Sequence, residues 1–128
     1  MQAHFKIGLA TLIGFGLGAV AVQGLRAQAS IPVYVISEID VTNSEAYGKE
    51  YVPLAQKALR ESGQKVLVAG GKIVALSGEP PKSRVVVSVF ESMEKAQAAY
   101  TSPAYMDARK VGDQYAKLRI FAVEGVAL

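Results

Sequence analysis

Two tyrosines and an arginine lie close together in the stretch YTSPAYMDARK, residues 100–110. Arg109 follows Tyr105 by four residues, so both share one face of a helix. Arginine offers a planar fork for a carboxylate or enolate, and a tyrosine hydroxyl donates a hydrogen bond or a proton. We expect these two, with Tyr47 and Tyr51 of an earlier helix, to line a pocket against a sheet. Alternatively, the tyrosines are core residues and Arg109 pairs with a carboxylate.

A second polar cluster is predicted on the strands. Tyr34 and Glu38 share one side of a first strand, and Arg84 and Ser88 share one side of a later strand, because strand side chains alternate. Tyr34 and Arg84 are therefore further candidates for ligand binding. Glu38 has two interpretations: an ion pair with Arg84 at the rim of a barrel, or a buried base that shuttles protons in an isomerase. Tyr105, Arg109 and Glu38 are the catalytic candidates.

Several chemistries lack the residues that they require. The chain has no Cys and one histidine, His4, in an N-terminal segment that we expect to be removed. A domain without His or Cys cannot host a Ser-His-Asp triad, a Cys nucleophile or the usual zinc ligands, and it lacks the haem ligand of most haem proteins. Asp107 and Asp113 are six residues apart and share no helix face. We therefore expect no cofactor and no metal.

Residues 1–29 have the parts of a secretory signal peptide. Lys6 supplies a basic start, the next 19 residues carry no charge, and Ala27 and Ala29 have the spacing that signal peptidase needs. Cleavage after Ala29 would leave residues 30–128 as one periplasmic or secreted domain, free of the membrane. The alternative is an uncleaved anchor with the domain still outside, since 19 apolar residues nearly span a bilayer.

The charge balance gives little support for nucleic-acid binding. The whole chain has a formal net charge of +3, but Lys6 and Arg26 leave with the signal peptide, so 12 basic and 11 acidic groups remain and the net charge falls to +1. The remaining chain contains no run of Lys or Arg that could follow a phosphate backbone. We expect no nucleic-acid partner.

The remaining chain alternates strands with helices. The predicted elements are a strand over 31–41, a helix over 42–63, two apolar runs within 65–78, a strand over 83–90, helices capped by Ser92 and Ser102, and a strand over 117–126. In the first helix, Thr42 and Glu45 form a capping box, Gly63 is the stop, and Pro53 should cause a kink.

The two apolar runs meet at Gly70-Gly71. A tight hairpin is the simplest interpretation, and one long strand with a glycine bulge is the other. The order β-α-β(β)-β-α-β is typical of the α+β, ferredoxin-like split βαβ fold, in which an antiparallel sheet has helices on one face.

Both faces of this predicted sheet are apolar. In the first strand Val33, Val35 and Ile39 lie on one side, and Tyr34 and Ile36 lie on the other. A monomer with helices on one face would leave the second apolar face in water, a larger patch than most monomers tolerate. We therefore predict a homodimer that closes into a barrel.

Four stretches carry a family resemblance: EAYGKEYVPLAQKAL, GGK, GEPPKSRVVVSVFESMEKAQAAYTSPAYMDARK and YAKLRIFAVEG. Over about residues 32–125 the chain resembles a bacterial family of unknown function in the dimeric α+β barrel superfamily. That superfamily includes cofactor-free antibiotic-biosynthesis monooxygenases, muconolactone isomerases and haem enzymes. The resemblance implies the fold and a small-molecule pocket beside the sheet, but no particular reaction. Haem is not implied, because the domain lacks the histidine on which the haem branches rely.

Three functions follow from these patterns. The first is a binding module that holds a small, partly apolar organic ligand between helices and sheet. The second is a cofactor-free monooxygenase or isomerase that uses Tyr105, Arg109 and Glu38. The third is a purely structural dimer with a filled core.

Overall fold

The structure is a computed structural model that describes residues 31–127, and the predicted signal peptide of residues 1–29 lies outside them. The strands are β1 (Val33–Val41), β2 (Lys65–Ala69), β3 (Arg84–Phe90) and β4 (Ala116–Glu124). The first helix, α1, runs through Ser44–Ala46, a π turn at Tyr47–Tyr51, and Val52–Glu61. It is followed by α2 (Met93–Thr101) and α3 (Pro103–Gly112). Over the described residues, no helix is both long enough and apolar enough to cross a bilayer.

The four strands form one antiparallel sheet in the order β2-β3-β1-β4. Ser37, at the centre of β1, lies opposite Val86 of β3 and Ile120 of β4. The fold is the predicted α+β, ferredoxin-like arrangement. The order of elements differs in one respect from the prediction, because no extra strand separates β2 from β3. The two predicted helices that follow β3 are α2 and α3.

The sheet has two unlike faces. On β1, Val33, Val35, Ser37 and Ile39 are buried beneath the helices, and the residues between them point the other way. We call these sides the helix face and the open face. The predicted division of apolar residues between them is therefore confirmed. The open face carries Tyr34, Ile36, Glu38, Asp40, Val85, Val87, Val89, Lys117, Arg119, Phe121 and Val123.

The start of α1 differs from the prediction. Asn43, not Thr42, is the N-cap, and its side-chain oxygen accepts a hydrogen bond of 3.1 Å from Ala46 N. Glu45 forms an ion pair of 2.8 Å with Lys49, so the predicted capping box is wrong. The asparagine oxygen fills the capping role one residue later, which shortens the helix at its start.

The disturbance expected at Pro53 takes the form of a π turn. Val52 N donates to Tyr47 O five residues back, which widens the helix by one residue immediately before the proline. Pro53 has no N–H and its ring would crowd the carbonyl of Lys49, so the wider turn accommodates both restrictions. The predicted stop is confirmed, because Gly63 has a φ of +95° and its N–H bonds Arg60 O.

The two serine caps are also confirmed. Ser92 Oγ accepts from Lys95 N at 3.1 Å, and Ser102 Oγ accepts from Tyr105 N at 3.2 Å. Pro103 occupies the first turn of α3, where its missing N–H costs nothing. These caps set the start of α3 and thereby the direction in which Tyr105 points.

Neither prediction for residues 65–78 is correct. The strand β2 ends at Ala69, and residues 70–83 contain no strand. Gly70 N still bonds Val85 O at 2.9 Å, but its φ of +72° turns the chain away from β3. The irregular pairing of β2 lies between Val66 and Val68 and not at the glycines. Two prolines before β3 then lack the N–H groups that a hairpin strand would need.

Candidate functional site

A cleft of about 110 Å³ opens between the helix face of the sheet and the helices α1 and α3. Its walls are mostly apolar, with a small number of polar side chains. The residues that line it are Ser37, Ile39, Tyr47, Tyr51, Val52, Ala55, Gln56, Leu59, Arg60, Gln64, Val66, Ala69, Arg84, Val86, Tyr100, Tyr105, Leu118 and Ile120. An apolar enclosure with a few convergent polar groups is the usual character of a small-molecule site.

Tyr51 and Tyr105 meet at the back of the cleft. Their hydroxyl oxygens are 3.2 Å apart, and both side chains are buried. Burial raises the pKa of Tyr51 far above its usual value, and the neighbouring Tyr105 hydroxyl raises it further. The Tyr51 phenol therefore acts as a hydrogen-bond donor and not as a base at neutral pH. Only one of the two hydroxyl protons can lie between the oxygens, so the other is available to a third group.

The position of Tyr51 depends on two features of the helices. The π turn carries Tyr47 and Tyr51 together, with ring centroids 5.1 Å apart. Gly112 of α3 lies against the Tyr51 ring, and a Cβ there would come within 2.6 Å of it. The glycine therefore lets α3 approach α1 closely enough for the two hydroxyls to meet.

A second polar group lies nearer to the start of β2. Gln64 Nε2 donates to Ser88 Oγ at 3.2 Å and approaches Tyr100 Oη at 3.4 Å. Burial raises the pKa of Tyr100 to about 12, and the Tyr105 hydroxyl adds to the increase. The rings of Tyr100 and Tyr105 contact edge to face, with centroids 4.8 Å apart. The second polar group is thereby joined to the tyrosine pair.

Arg84 lies on the helix face at the first residue of β3, opposite Ile39. Its Nε is buried and makes no hydrogen bond to any described residue. Its guanidinium carbon is 6.0 Å from the centre of the Tyr47 ring. Burial raises the pKa of Tyr47, and the charge of Arg84 offsets part of that increase. Arg84 is therefore the positive group beside Tyr47, whereas Arg109 lies beside Tyr105.

Gly70 makes room for the Arg84 side chain. A Cβ at this residue would overlap Nη1 of the guanidinium, and its φ of +72° is in the region that glycine favours. The backbone that follows β2 thus forms one wall against which the guanidinium is packed.

Arg109 is not among the residues that line the cleft. Its Nε donates to Asp113 Oδ1 at 2.7 Å, and its Nη2 donates to Leu118 O at 3.3 Å. The structure therefore agrees with the alternative of a carboxylate partner. Asp113, one helical turn away, pairs with Nε of Arg109, and the guanidinium also lies beside the Tyr105 hydroxyl. That Arg109 holds an anion in the pocket stays a prediction.

Glu38 and Tyr34 lie on the open face, across the sheet from the cleft. Glu38 Oε2 pairs with Nη1 of Arg119 at 3.0 Å. The predicted ion pair with Arg84 is wrong, because Arg84 lies opposite Ile39 and so points to the other side of the sheet. The structure therefore separates Glu38 from the tyrosines, and it does not bring Tyr34 to the cleft.

Four of the predicted site residues meet in the cleft: Tyr47, Tyr51, Tyr105 and Arg84. Sequence reasoning missed Gln64, which follows the end of a helix and has no distinguishing pattern. It also missed Ser37. The sequence did contain a signal for Ser37, because it is a polar residue among the apolar residues on the same side of β1. In the structure its exposed fraction is 6%. Such a buried polar residue marks a place where a strand approaches a polar group.

The geometry and the fold together define a class: a ferredoxin-like α+β protein with a cleft between sheet and helices. The chain belongs to the family described as domain of unknown function (DUF1330), whose model matches residues 32–126. No curated protein matches the chain in sequence.

Solved structures share the fold at low identity. The RPA0582 protein of unknown function from Rhodopseudomonas palustris has a TM-score of 0.61 and 18% identity, over 81% of this chain and 93% of its own. SnoaB, a cofactor-independent oxygenase from Streptomyces nogalater, has a TM-score of 0.54 and 8% identity, over 75% and 94%. A Caulobacter crescentus protein, provisionally described as an antibiotic biosynthesis monooxygenase, has a TM-score of 0.55 and 14% identity, over 76% and 92%.

Proposed function

We propose that the chain is an exported homodimer that holds a small, partly apolar organic molecule in the cleft. One observation carries this proposal: a space of about 110 Å³ remains open beside Tyr51 and Tyr105, whose hydroxyls have a proton to donate. Protein interiors are packed densely, so a purely structural core would be expected to fill such a space.

The size of the cleft limits the ligand. An apolar cavity of about 150 Å³ accommodates benzene in another protein, so this cleft suits a molecule of similar size whose remainder extends through the mouth. Ile39, Val86 and Leu118 offer apolar contact on the sheet side. Tyr51 and Tyr105 would supply a hydrogen bond to an oxygen atom at the inner end.

The homodimer follows from the open face of the sheet. Ile36, Val87 and Phe121 lie side by side at its centre, and Phe121 is 41% exposed in the single chain. Charged residues, such as Glu38 and Arg119, lie toward one end. An apolar centre of this kind favours burial against a second copy. Export rests on the signal-peptide pattern of residues 1–29, which would leave residues 30–128 in the periplasm or outside the cell.

Native mass spectrometry of the protein purified from its own source tests the proposal. We expect the mass of two copies of residues 30–128, with a small molecule that is lost when the sample is denatured. A dimer that carries no molecule, under conditions where a weakly bound ligand survives, would support the purely structural alternative. A mass that includes residues 1–29 would support the anchor.

A second candidate function is that of a cofactor-free oxygenase. Protonated phenols and a guanidinium around one space are groups that stabilise an enolate or phenolate substrate, and SnoaB, a cofactor-independent oxygenase, has the same fold. Oxygen uptake upon addition of the retained molecule, abolished in Tyr105→Phe, would favour this function over binding alone. The isomerase alternative is weaker, because Glu38, its proposed base, lies on the open face.

A further inference from the structure

The charged groups around the cleft are of one sign. Among its lining residues, two carry a charge, Arg60 and Arg84, and none is acidic. Arg60 is exposed on α1, whereas Arg84 is partly buried beside the tyrosines. A neutral ligand would gain at most a hydrogen bond from this arrangement, whereas an anionic ligand would also meet a positive charge with little water to screen it.

Among the described residues, Arg84 hydrogen-bonds the Tyr47 hydroxyl but lacks the carboxylate partner that a buried guanidinium usually has. Within residues 31–127, no carboxylate oxygen lies close enough to a nitrogen of Arg84, within 4.0 Å, to form an ion pair. Its Nε is shielded from water and makes no hydrogen bond to the described chain. A buried donor without a hydrogen-bond partner destabilises the folded protein. A ligand that accepts this hydrogen bond would therefore stabilise it.

The groups around Arg84 favour an anion as that partner. Tyr47 and Tyr51 remain protonated because burial raises their pKa values, so they donate hydrogen bonds and supply no negative charge to Arg84. Gly70 holds the guanidinium in place through close backbone contact. A fixed guanidinium beside phenol donors matches the planar oxygen pair of a carboxylate.

From these observations, and resting on the proposed binding function, we infer that the ligand is a small organic acid whose carboxylate binds Arg84. Its apolar part lies along the sheet-side wall formed by Ile39, Val86 and Leu118. The class of ligand is thus an aromatic or similarly compact monocarboxylate, and not a neutral ketone, amide or alcohol.

Calorimetric titration of the purified protein with benzoate and with benzamide tests the inference. The two probes have nearly the same shape and differ in charge. We expect benzoate to bind at least roughly tenfold more tightly than benzamide. Arg84→Gln should weaken benzoate binding by roughly 10- to 100-fold, as expected for loss of a charge-assisted hydrogen bond, and should leave benzamide binding within about twofold.

Two matched controls accompany this experiment. Arg60→Gln removes the other lining charge at an exposed position and should weaken benzoate binding less than about threefold. Gly70→Ala should displace the guanidinium and reproduce much of the Arg84→Gln effect. Gly78→Ala introduces a side chain at a nearly equal φ of +74°, but with nothing within 4 Å of its Cβ, and should leave benzoate affinity unchanged.

The outcomes separate the inference from the proposed function. Equal affinity for the two probes, or benzoate affinity that Arg84→Gln and Gly70→Ala leave intact, overturns the inference. So does failure of benzoate to bind. A retained molecule without an acidic group, found by native mass spectrometry, would overturn the inference while supporting the binding function. If Arg84→Gln weakens dimerisation but spares benzoate binding, the inference is overturned, and the arginine supports the dimer and not the ligand.

Discussion

At the residue scale, the cleft depends on phenols that stay protonated. Tyr51 and Tyr105 share one hydrogen bond, and burial keeps their neighbourhood poor in water. Burial raises the pKa of Tyr51, so its phenol can donate to a ligand oxygen but does not act as a base at neutral pH. These groups suit the proposed binding of a negatively charged ligand better than the removal of a proton from it.

The same burial predicts a loss of stability at alkaline pH. The pKa of Tyr100 is raised to about 12 in the folded protein, whereas an exposed tyrosine in the unfolded chain has a pKa near 10. Between these values the unfolded state binds fewer protons, so the free energy of unfolding falls as pH rises from 10 to about 12. Below pH 10 the residue contributes no pH dependence.

Tyr100→Phe tests this linkage. The free energy of unfolding is measured by denaturant unfolding at a series of pH values. Between pH 10 and about 12, it should fall less steeply with pH in the variant than in the parent protein, by about 1.4 kcal/mol per pH unit. The difference between the two proteins should be constant below pH 10. Parallel curves for the two proteins up to pH 12 would mean that Tyr100 is not shielded in the way described.

Helical spacing is enough to identify the tyrosines of the site but not its arginine. Tyr47, Tyr51 and Tyr105 are predictable because they fall on apolar stripes. Arg109 has the same spacing relative to Tyr105, yet an acid four residues further along the same helix occupies it. Arg84 belongs to the cleft because of its register opposite Ile39, which depends on how the strands pair and cannot be read from one strand alone.

At the element scale, α1 and α3 are held together by a close contact between a glycine and an aromatic ring. The π turn in α1 directs Tyr51 toward α3, and Gly112 leaves the space that the ring fills. The capping serine of α3 fixes where that helix starts, and so where Gly112 and Tyr105 lie on it. The tyrosine pair is thus a product of helix packing.

Gly112→Ala should disturb this contact. A Cβ at 2.6 Å from the Tyr51 ring forces the ring or the helix to move, and we expect a loss of about 1–3 kcal/mol in the free energy of unfolding. Gly48 provides the control position. It lies within the π turn, and a Cβ added there would have no atom within 4 Å. Gly48→Ala should stabilise the protein by about 0.5–1 kcal/mol.

Both variants are measured by urea unfolding, with benzoate titration as a second readout. Weakened benzoate binding in Gly112→Ala and unchanged binding in Gly48→Ala would agree with a site built by the helix contact. If Gly112→Ala were as stable as the parent protein, the close approach of α1 and α3 would not be as described.

The helices α2 and α3 are predictable from their sequence because capping residues mark where they begin. The segment after β2 has no such marker. Ser92 and Ser102 have short side chains of the type that caps helices, and both cap the helices that follow them. The region after β2 also resembles a strand in sequence, since it is apolar. There the backbone at Gly70 turns away and the prolines before β3 lack donors, so pairing fails although the side chains suit a strand.

At the scale of the whole molecule, the two faces of the sheet have different roles. The helix face supplies the core and the cleft, and the open face carries a patch of aliphatic and aromatic side chains with no cover in the single chain. This division is predictable because consecutive residues of β1, β3 and β4 are apolar, which leaves both sides of each strand hydrophobic. We propose that a second copy of the chain buries that patch.

Sedimentation velocity of the purified protein tests that claim most directly. We expect a single species of twice the chain mass at micromolar concentration. Val87→Glu, at the centre of the open face, should raise the dissociation constant of the dimer at least roughly 30-fold, whereas Leu76→Glu, on a loop residue that is 95% exposed, should not change it. A parent protein that sediments as one copy at micromolar concentration would contradict the account.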